Sequence, residues 1–494
     1  MTTRVTWAQD VNTFRADQVT RLKNYVVAAI QPSGLVRDSV VINGGSFHPA
    51  TPDAAGFALL ALSSFDHWDN LNGTAVLPDA EQRVVDILTA HAGQKPGVMP
   101  ARSADGHFVH FMNLNNGAVQ GGGWDESYSP ISTALLVSGA QFAKNHFPHN
   151  ATIASLADQL TNSVNFNAAI HPSLDGRIYH NMTPAGGGAG VTSSPWNEYM
   201  LVESLALRET NNARALAVKD LWLDVDNIPK RAHPAAGNFE TLTDNPGSFA
   251  PAFWVQQMHF FNGDFRHSDD FETYFENQKL ADKFYSSNSL GEEYRYGLTA
   301  GVSPFGGYQV DKIFGHNGNV FSPEAVAAWG DMATLLEFYS DQAYPPNDPR
   351  YKYGMLRVSA FDPSLTPADA GLVDHLFLLF GLIESIDSNF FPDRVFGATP
   401  GDYNRDGEID DADYLRWRST FGSQTSVGAD GNRNGAIDAA DYVTWRKLAG
   451  LPGTGGTTSI PEPAAFVLLA IVAFAGNLVR KSRTHLSNSM RGIL

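Results

Sequence analysis

The chain has 494 residues, a net charge of −18 and no cysteine. The acidic balance argues against a nucleic-acid or anionic-membrane surface, and the missing thiols exclude a disulfide framework, cysteine nucleophiles and thiolate metal sites. Residues 1–395 are long for one average domain but reasonable for a single toroid or barrel.

From the N-terminus, Met1–Trp7 lacks the charged stretch and apolar run of an export leader. An export signal is therefore expected upstream of this start. Apolar residues then recur at three- and four-residue steps over 55–62, 132–144, 153–164, 198–208 and 322–339, which predicts helices. Asp79 and Ser322, the latter followed by Pro323-Glu324, mark helix starts. Glycine-rich loops at 117–123 and 185–190 would let the backbone approach a ligand. Alternating strand patterns are few. The pattern predicts an all-α protein whose long loops gather at one face, and an (α/α)6 toroid is the natural candidate.

Aromatic residues make up 11% of the chain, and many fall in polar loops: Trp124, Tyr128, Trp196, Tyr199, Trp254, Tyr294, Tyr296 and Tyr308. Aromatic faces pack on the C–H faces of sugars while nearby carboxylates and amides bind hydroxyls. Trp124-Asp125-Glu126-Ser127-Tyr128 and Trp196-Asn197-Glu198-Tyr199 are the strongest such clusters. Asp264–Asp270 reads as a solvated charged loop, and His48, His107, His110, His259, His267 and His316 form no metal-binding motif. His110 is a candidate for lining a cleft. No Gly-x-Ser-x-Gly elbow or phosphate-cradling Gly-Lys-Ser/Thr loop supports esterase or nucleotide chemistry.

Gly34-Leu35-Val36-Arg37-Asp38, Thr51–Leu59, His110-Phe111-Met112-Asn113, Trp196–Tyr199, Tyr274–Asn277 and Glu293–Ala300 occur in order along the large domain. Together they resemble the glycoamylase-like glycoside hydrolases, which include endo-β-1,2-glucanases. The resemblance implies an (α/α)6 barrel that hydrolyses a glucan with inversion and needs no cofactor for catalysis. Inversion requires one carboxylic acid to protonate the leaving oxygen and one carboxylate to activate water. Glu198 matches an important glutamate of that family. Where relatives carry an acidic residue before Thr-Ala, this chain has Ser132, and Ser129 stands one turn earlier. Asp125 or Glu126 could supply the missing carboxylate, or the domain could bind glycans without cleaving them. The substrate-binding set expected with these groups is Asp38, His110, Trp124, Tyr128, Trp196, Asn197 and Tyr296.

Residues 396–450 hold two copies of one loop, offset by 28 residues and each followed by Tyr-x-x-Trp-Arg. The first presents Asp402, Asn404, Asp406, Glu408, Asp410 and Asp413; the second presents Asp430, Asn432, Asn434, Ala436, Asp438 and Asp441. Oxygen donors at alternate positions, glycine at the sixth and a carboxylate at the twelfth suit Ca²⁺. Asn434 removes a charge from the second loop, which should bind more weakly. The tandem resembles a type I dockerin, implying a cohesin-type partner, although Trp417, Trp445, Arg418 and Arg446 are unlike dockerin contact residues. A Gly/Thr-rich linker at 451–463 leads to Pro461-Glu462-Pro463, an apolar run from Ala464 and the basic cluster Arg480-Lys481-Ser482-Arg483. Residues 464–494 resemble a PEP-CTERM sorting signal, implying one hydrophobic helix, envelope sorting machinery and export to the cell envelope.

Overall fold

The computed structural model describes residues 11–45, 47–290, 296–316, 320–341, 348–359, 361–362, 364–396, 401, 403, 409–423, 429, 431 and 437–449. Its helices are α1 Val11–Ala29, α2 Pro52–Asn72, α3 Ala80–His91, α4 Pro130–His146, α5 Ala151–Asn162, α6 Met200–Ala206, α7 Ala213–Leu223 and α8 Ala252–Phe261. They continue with α9 Gly263–Arg266, α10 Asp269–Tyr285, α11 Pro323–Ala328, α12 Met332–Asp341, α13 Leu372–His375, α14 Phe377–Glu384, α15 Asp411–Thr420 and α16 Ala439–Ala449.

Burial sorts the helices into two layers. Helix α2 buries nearly every residue from Pro52 to Phe65, and α14 buries Phe377 through Ile383. A helix apolar all round belongs inside. Helix α5 instead buries one stripe, Ile153, Leu156, Ala157 and Leu160. The inner helices α2, α4, α6, α8, α11 and α14 each touch the next, and α14 returns to α2 to close the ring. Around them α1, α3, α5, α7, α10 and α12 pack on α2, α2, α4, α6, α8 and α11 respectively. This is the expected toroid of paired helices.

The two ends of the toroid also meet. Ser39–Val41 pairs antiparallel with Asp369–Gly371, Ser39 lying opposite Gly371, and the Leu372 amide donates to the Asp38 carbonyl at 2.9 Å. Among the described residues four further two-stranded ladders, including Ile178–Met182 with Gly188–Ser193 and Ala300–Val302 with Tyr308–Val310, decorate the helices.

Two local expectations need correction. The single helix expected over 322–339 is two, α11 and α12, because Gly330 turns left-handed (φ 74°) and Asp331 caps the Thr334 amide at 3.0 Å. The charged stretch 264–270 is not a solvated loop. Asp264 pairs with Arg208 at 2.7 Å, and Arg266 reaches Glu384 at 2.7 Å in a largely buried setting.

In the C-terminal module, Trp417 and Trp445 serve the module's own packing. The Trp417 indole donates to the Asp438 carbonyl at 2.9 Å and the Trp445 indole to the Asp410 carbonyl at 2.8 Å, so the sequence repeat becomes a reciprocal bond. Asp413 and Asp441 are fully buried and accept from the amides of Asp410 and Asp438. Asp402, Asn404, Asp406, Glu408, Asp430, Asn432, Asn434, Ala436 and the tail 464–494 lie outside the described residues. No helix among the described residues is long and apolar enough to cross a membrane.

Candidate active site

A cavity of about 750 Å³ opens where the first turns of α2 and α13 meet the hairpin Ala300–Val310 and the loop between α3 and α4. Its wall carries four carboxylates, Asp38, Asp53, Asp369 and Asp374, two imidazoles, His48 and His110, and the rings of Phe111, Trp124 and Tyr308.

Local structure explains how each group arrives. Thr51 caps α2 and Pro52 starts it, which sets Asp53 in the first turn. Gly371 precedes α13 and sets Asp374 in its first turn. The backbone bridge between Ala50 and Met112 ties the His110 loop to the start of α2. The pairing of Ser39–Val41 with Asp369–Gly371 gathers Asp38 and Asp369 on the same rim.

Each imidazole lies between two carboxylates. His48 Nδ1 stands 3.1 Å from Asp38 and its Nε2 3.5 Å from Asp369. The hydrogen bond to Asp38 outweighs burial and raises the His48 pKa. His110 Nδ1 lies 3.0 Å from Asp125 and its Nε2 4.0 Å from Asp53. Burial opposes charge on His110, but Asp125, Asp53 and Asp38 together raise its pKa. The His110 bond in turn holds Asp125 well below the usual carboxylate range.

The two first-turn carboxyls differ. Asp53 accepts from the Ser132 hydroxyl at 3.2 Å and from the Ala54 amide at 2.8 Å. Asp374 is buried, and that burial pushes its pKa up to about 7, against the pull of Arg357 and with help from Asp38 and Asp53. The Tyr308 hydroxyl donates to it at 3.4 Å. The site thus holds one carboxyl whose burial favours its protonated form and another that accepts two hydrogen bonds, a contrast that acid–base chemistry can use.

The expected residues separate into two groups. Asp38, His110 and Trp124 line the cavity. Asp125 reaches it through His110, Glu126 is exposed, and Tyr128 is half-buried in backbone bridges to Val109 and Met182. The cluster around Glu198 stands elsewhere. Trp196 is wholly buried, stacked near Phe265 and Phe271, so its face is closed to a ligand. Asn197 bonds Ser193 and caps the Tyr199 amide, a local structural duty. Tyr296 is 1% exposed and donates to Asp331 at 2.5 Å. Glu198 does not line the cavity; burial raises its pKa to about 7, with Asp244 adding to the effect.

His48, Asp53, Asp369 and Asp374 escaped the sequence reading. One signal was available for Asp53 and Asp374: an acidic residue in the first turn of a helix recurs at Asp53, Glu324 and Asp374. Asp53 also stands beside Ser132, so the carboxylate missing from α4 has a neighbour on α2. Among the described residues no group of three His, Asp or Glu is arranged to hold a metal.

No family model matches the chain, and no curated protein matches its sequence. Solved structures do share the fold. A provisionally named glucoamylase from Bacteroides uniformis superposes with a TM-score of 0.63 at 16% identity, over 78% of this chain and 94% of that one. An endo-β-1,2-glucanase from Chitinophaga pinensis, in complex with sophorotriose and glucose, gives 0.62 at 16% identity, over 78% and 95%. A β-1,2-glucanase from Parabacteroides distasonis gives 0.60 at 15% identity, over 78% and 59%.

Proposed function

We propose that the chain is a glycoside hydrolase acting on a neutral glucan, with β-1,2-linked glucan the first substrate to try. The observation that carries this reading is the pairing of Asp374, proton-bearing near neutrality, with Asp53 in one cavity walled by Phe111 and Trp124. The cavity's volume falls within the roughly 300–1,000 Å³ common for small-ligand sites. Its carboxylate-rich lining contains no lysine or arginine, which suits hydroxyls better than uronates. The fold shared with β-1,2-glucanases supports the choice of linkage.

In this reading Asp374 protonates the leaving oxygen and Asp53 activates water, which takes over the roles that the sequence suggested for Glu198 and Asp125. His48 links Asp38 to Asp369, His110 links Asp125 to Asp53, and Trp124 offers a face to a sugar ring. Export, calcium binding at the tandem loops, docking to a cohesin-type partner and sorting through the tail complete the proposal. They are supported by the sequence motifs and, for the loops, by the buried Asp413 and Asp441.

The test is reducing-sugar release from a panel of glucans, with product anomers followed by NMR. Asp374→Asn and Asp53→Asn should each lower kcat by about 10²–10⁴-fold, the usual scale of lost acid–base catalysis, and the first anomer released should be inverted. Glu198→Gln should keep most of the rate. Full activity in both aspartate variants would refute the assignment.

A further inference from the structure

Beside Asp374 lies a second cavity of about 20 Å³, which shares Val302, Asp369, Gly371 and Asp374 with the wall of the large one. It is lined by Gly301, Glu324 of α11, Arg357, Asp369, Asp374 and His375. That volume holds one water, and a buried water needs two to four polar partners. The partners are at hand: Glu324 Oε2, Arg357 Nε and Asp369 Oδ1 are buried and have no hydrogen-bond partner among the described residues. The rest of the Arg357 guanidinium is committed, to the Thr299 carbonyl at 3.2 Å and to Asp311.

We propose that Glu324 is a positioning residue for Asp374, acting through a single water that this small cavity holds between them. The inference rests on Asp374 being the acid of the proposed reaction. A protonated Glu324 donates to the water, and the water donates to one oxygen of Asp374. That fixes the Asp374 carboxyl with its O–H turned to the large cavity. When Asp374 gives up its proton to the glycosidic oxygen, the same water steadies the new carboxylate.

The surroundings favour a proton on Glu324. Burial pushes its pKa up to about 8, against Arg357 and with Asp374 adding to the rise. Asp374 faces Asp38, Asp53, Tyr308 and Arg357. Arg357 is matched by Asp311, and Gln256 of α8 donates to the Ala325 carbonyl alongside Glu324. Burial lowers the His375 pKa to about 4, so this residue brings no charge near neutrality.

The test measures kcat and KM against pH for the full chain and for Glu324→Gln and Glu324→Leu, each checked by thermal melting. Leucine should lower kcat at pH 6 at least about tenfold with KM within about twofold, whereas glutamine, still a donor, should keep most of the rate. In the wild type, activity needs protons on both carboxyls, so log kcat should fall above pH 8 with a slope near −2. In Glu324→Gln the slope should be near −1. Full kcat in Glu324→Leu, or equal slopes in wild type and Glu324→Gln, would overturn the proposal; if the leucine variant does not fold, the slopes alone decide. Asp374→Asn run alongside separates the two readings. An inactive Asp374→Asn beside a fully active Glu324→Leu removes only Glu324, and a fully active Asp374→Asn removes both.

Discussion

At the residue scale, the toroid buries more carboxyls than its site uses. Glu203 on α6 is wholly buried, and neither of its oxygens has a hydrogen-bond partner among the described residues. Burial, with a contribution from Asp264, pushes its pKa up to about 9. The folded chain therefore holds a proton that the unfolded chain releases near pH 4.5. Such a group costs nothing below its unfolded pKa, and the stability is lost progressively as pH rises toward the folded value. Glu203→Gln should thus leave the melting temperature near its wild-type value at pH 4.5 and raise stability at pH 8 by an amount on the order of 4–5 kcal/mol. Paired melting curves at the two pH values check the sign. Equal shifts at both would mean that the effect is packing rather than proton linkage.

At the scale of elements, the inner ring is tight because glycines let helix backbones touch. A Cβ added to Gly56 of α2 would sit 2.3 Å from the Leu135 carbonyl oxygen of α4, and one on Gly139 of α4 would sit 2.5 Å from the Gly56 oxygen. Gly381 of α14 meets Ala327 of α11 in the same way, at 2.0 Å. These contacts are backbone to backbone, so no side chain can swing aside. Gly139→Ala should cost about 2–3 kcal/mol despite alanine's better helix propensity, as overpacking does. Denaturant unfolding measures it, and an unchanged midpoint would mean that α2 and α4 can slide apart. Because Asp53 sits on α2 beside Ser132 of α4, the same substitution should also weaken activity in the surviving folded fraction.

At the scale of the whole molecule, the toroid and the C-terminal module depend on different physics. The toroid is held by a continuous apolar core, whereas among the described residues of the small C-terminal module the buried apolar cluster comprises Tyr403, Ile409, Ala429, Ile437 and Trp445. A module as short as residues 396–450 has room for little core, and metal binding can supply folding energy. Calorimetry on the full chain should detect Ca²⁺ uptake at two sites of unequal affinity. Asp413→Asn should remove the tighter one and Asp441→Asn the weaker, since the first loop carries more carboxylates. The toroid's melting transition should be unmoved by chelator. Uptake that survives both substitutions would place the calcium elsewhere.

The sequence by itself determined what is local. Three- and four-residue periodicity located inner helices such as α2 and α4, and the 28-residue repeat announced two equivalent loops whose tryptophans then exchange bonds. Trp124 stands among glycine and acidic residues, a local pattern, and His110 in the segment His110-Phe111-Met112-Asn113; both line the cavity. What only the tertiary structure decided is convergence. The Ser39 hydroxyl bonds the Ala370 carbonyl 331 residues away, and that closure is what sets Asp38 and Asp369 about one imidazole. The same long-range packing turned Trp196 and Tyr296 inward, though their neighbours in sequence resemble those of Trp124. Helix formation depends on residues a turn apart, whereas a site on a closed ring depends on which helix ends meet, and no periodicity records that.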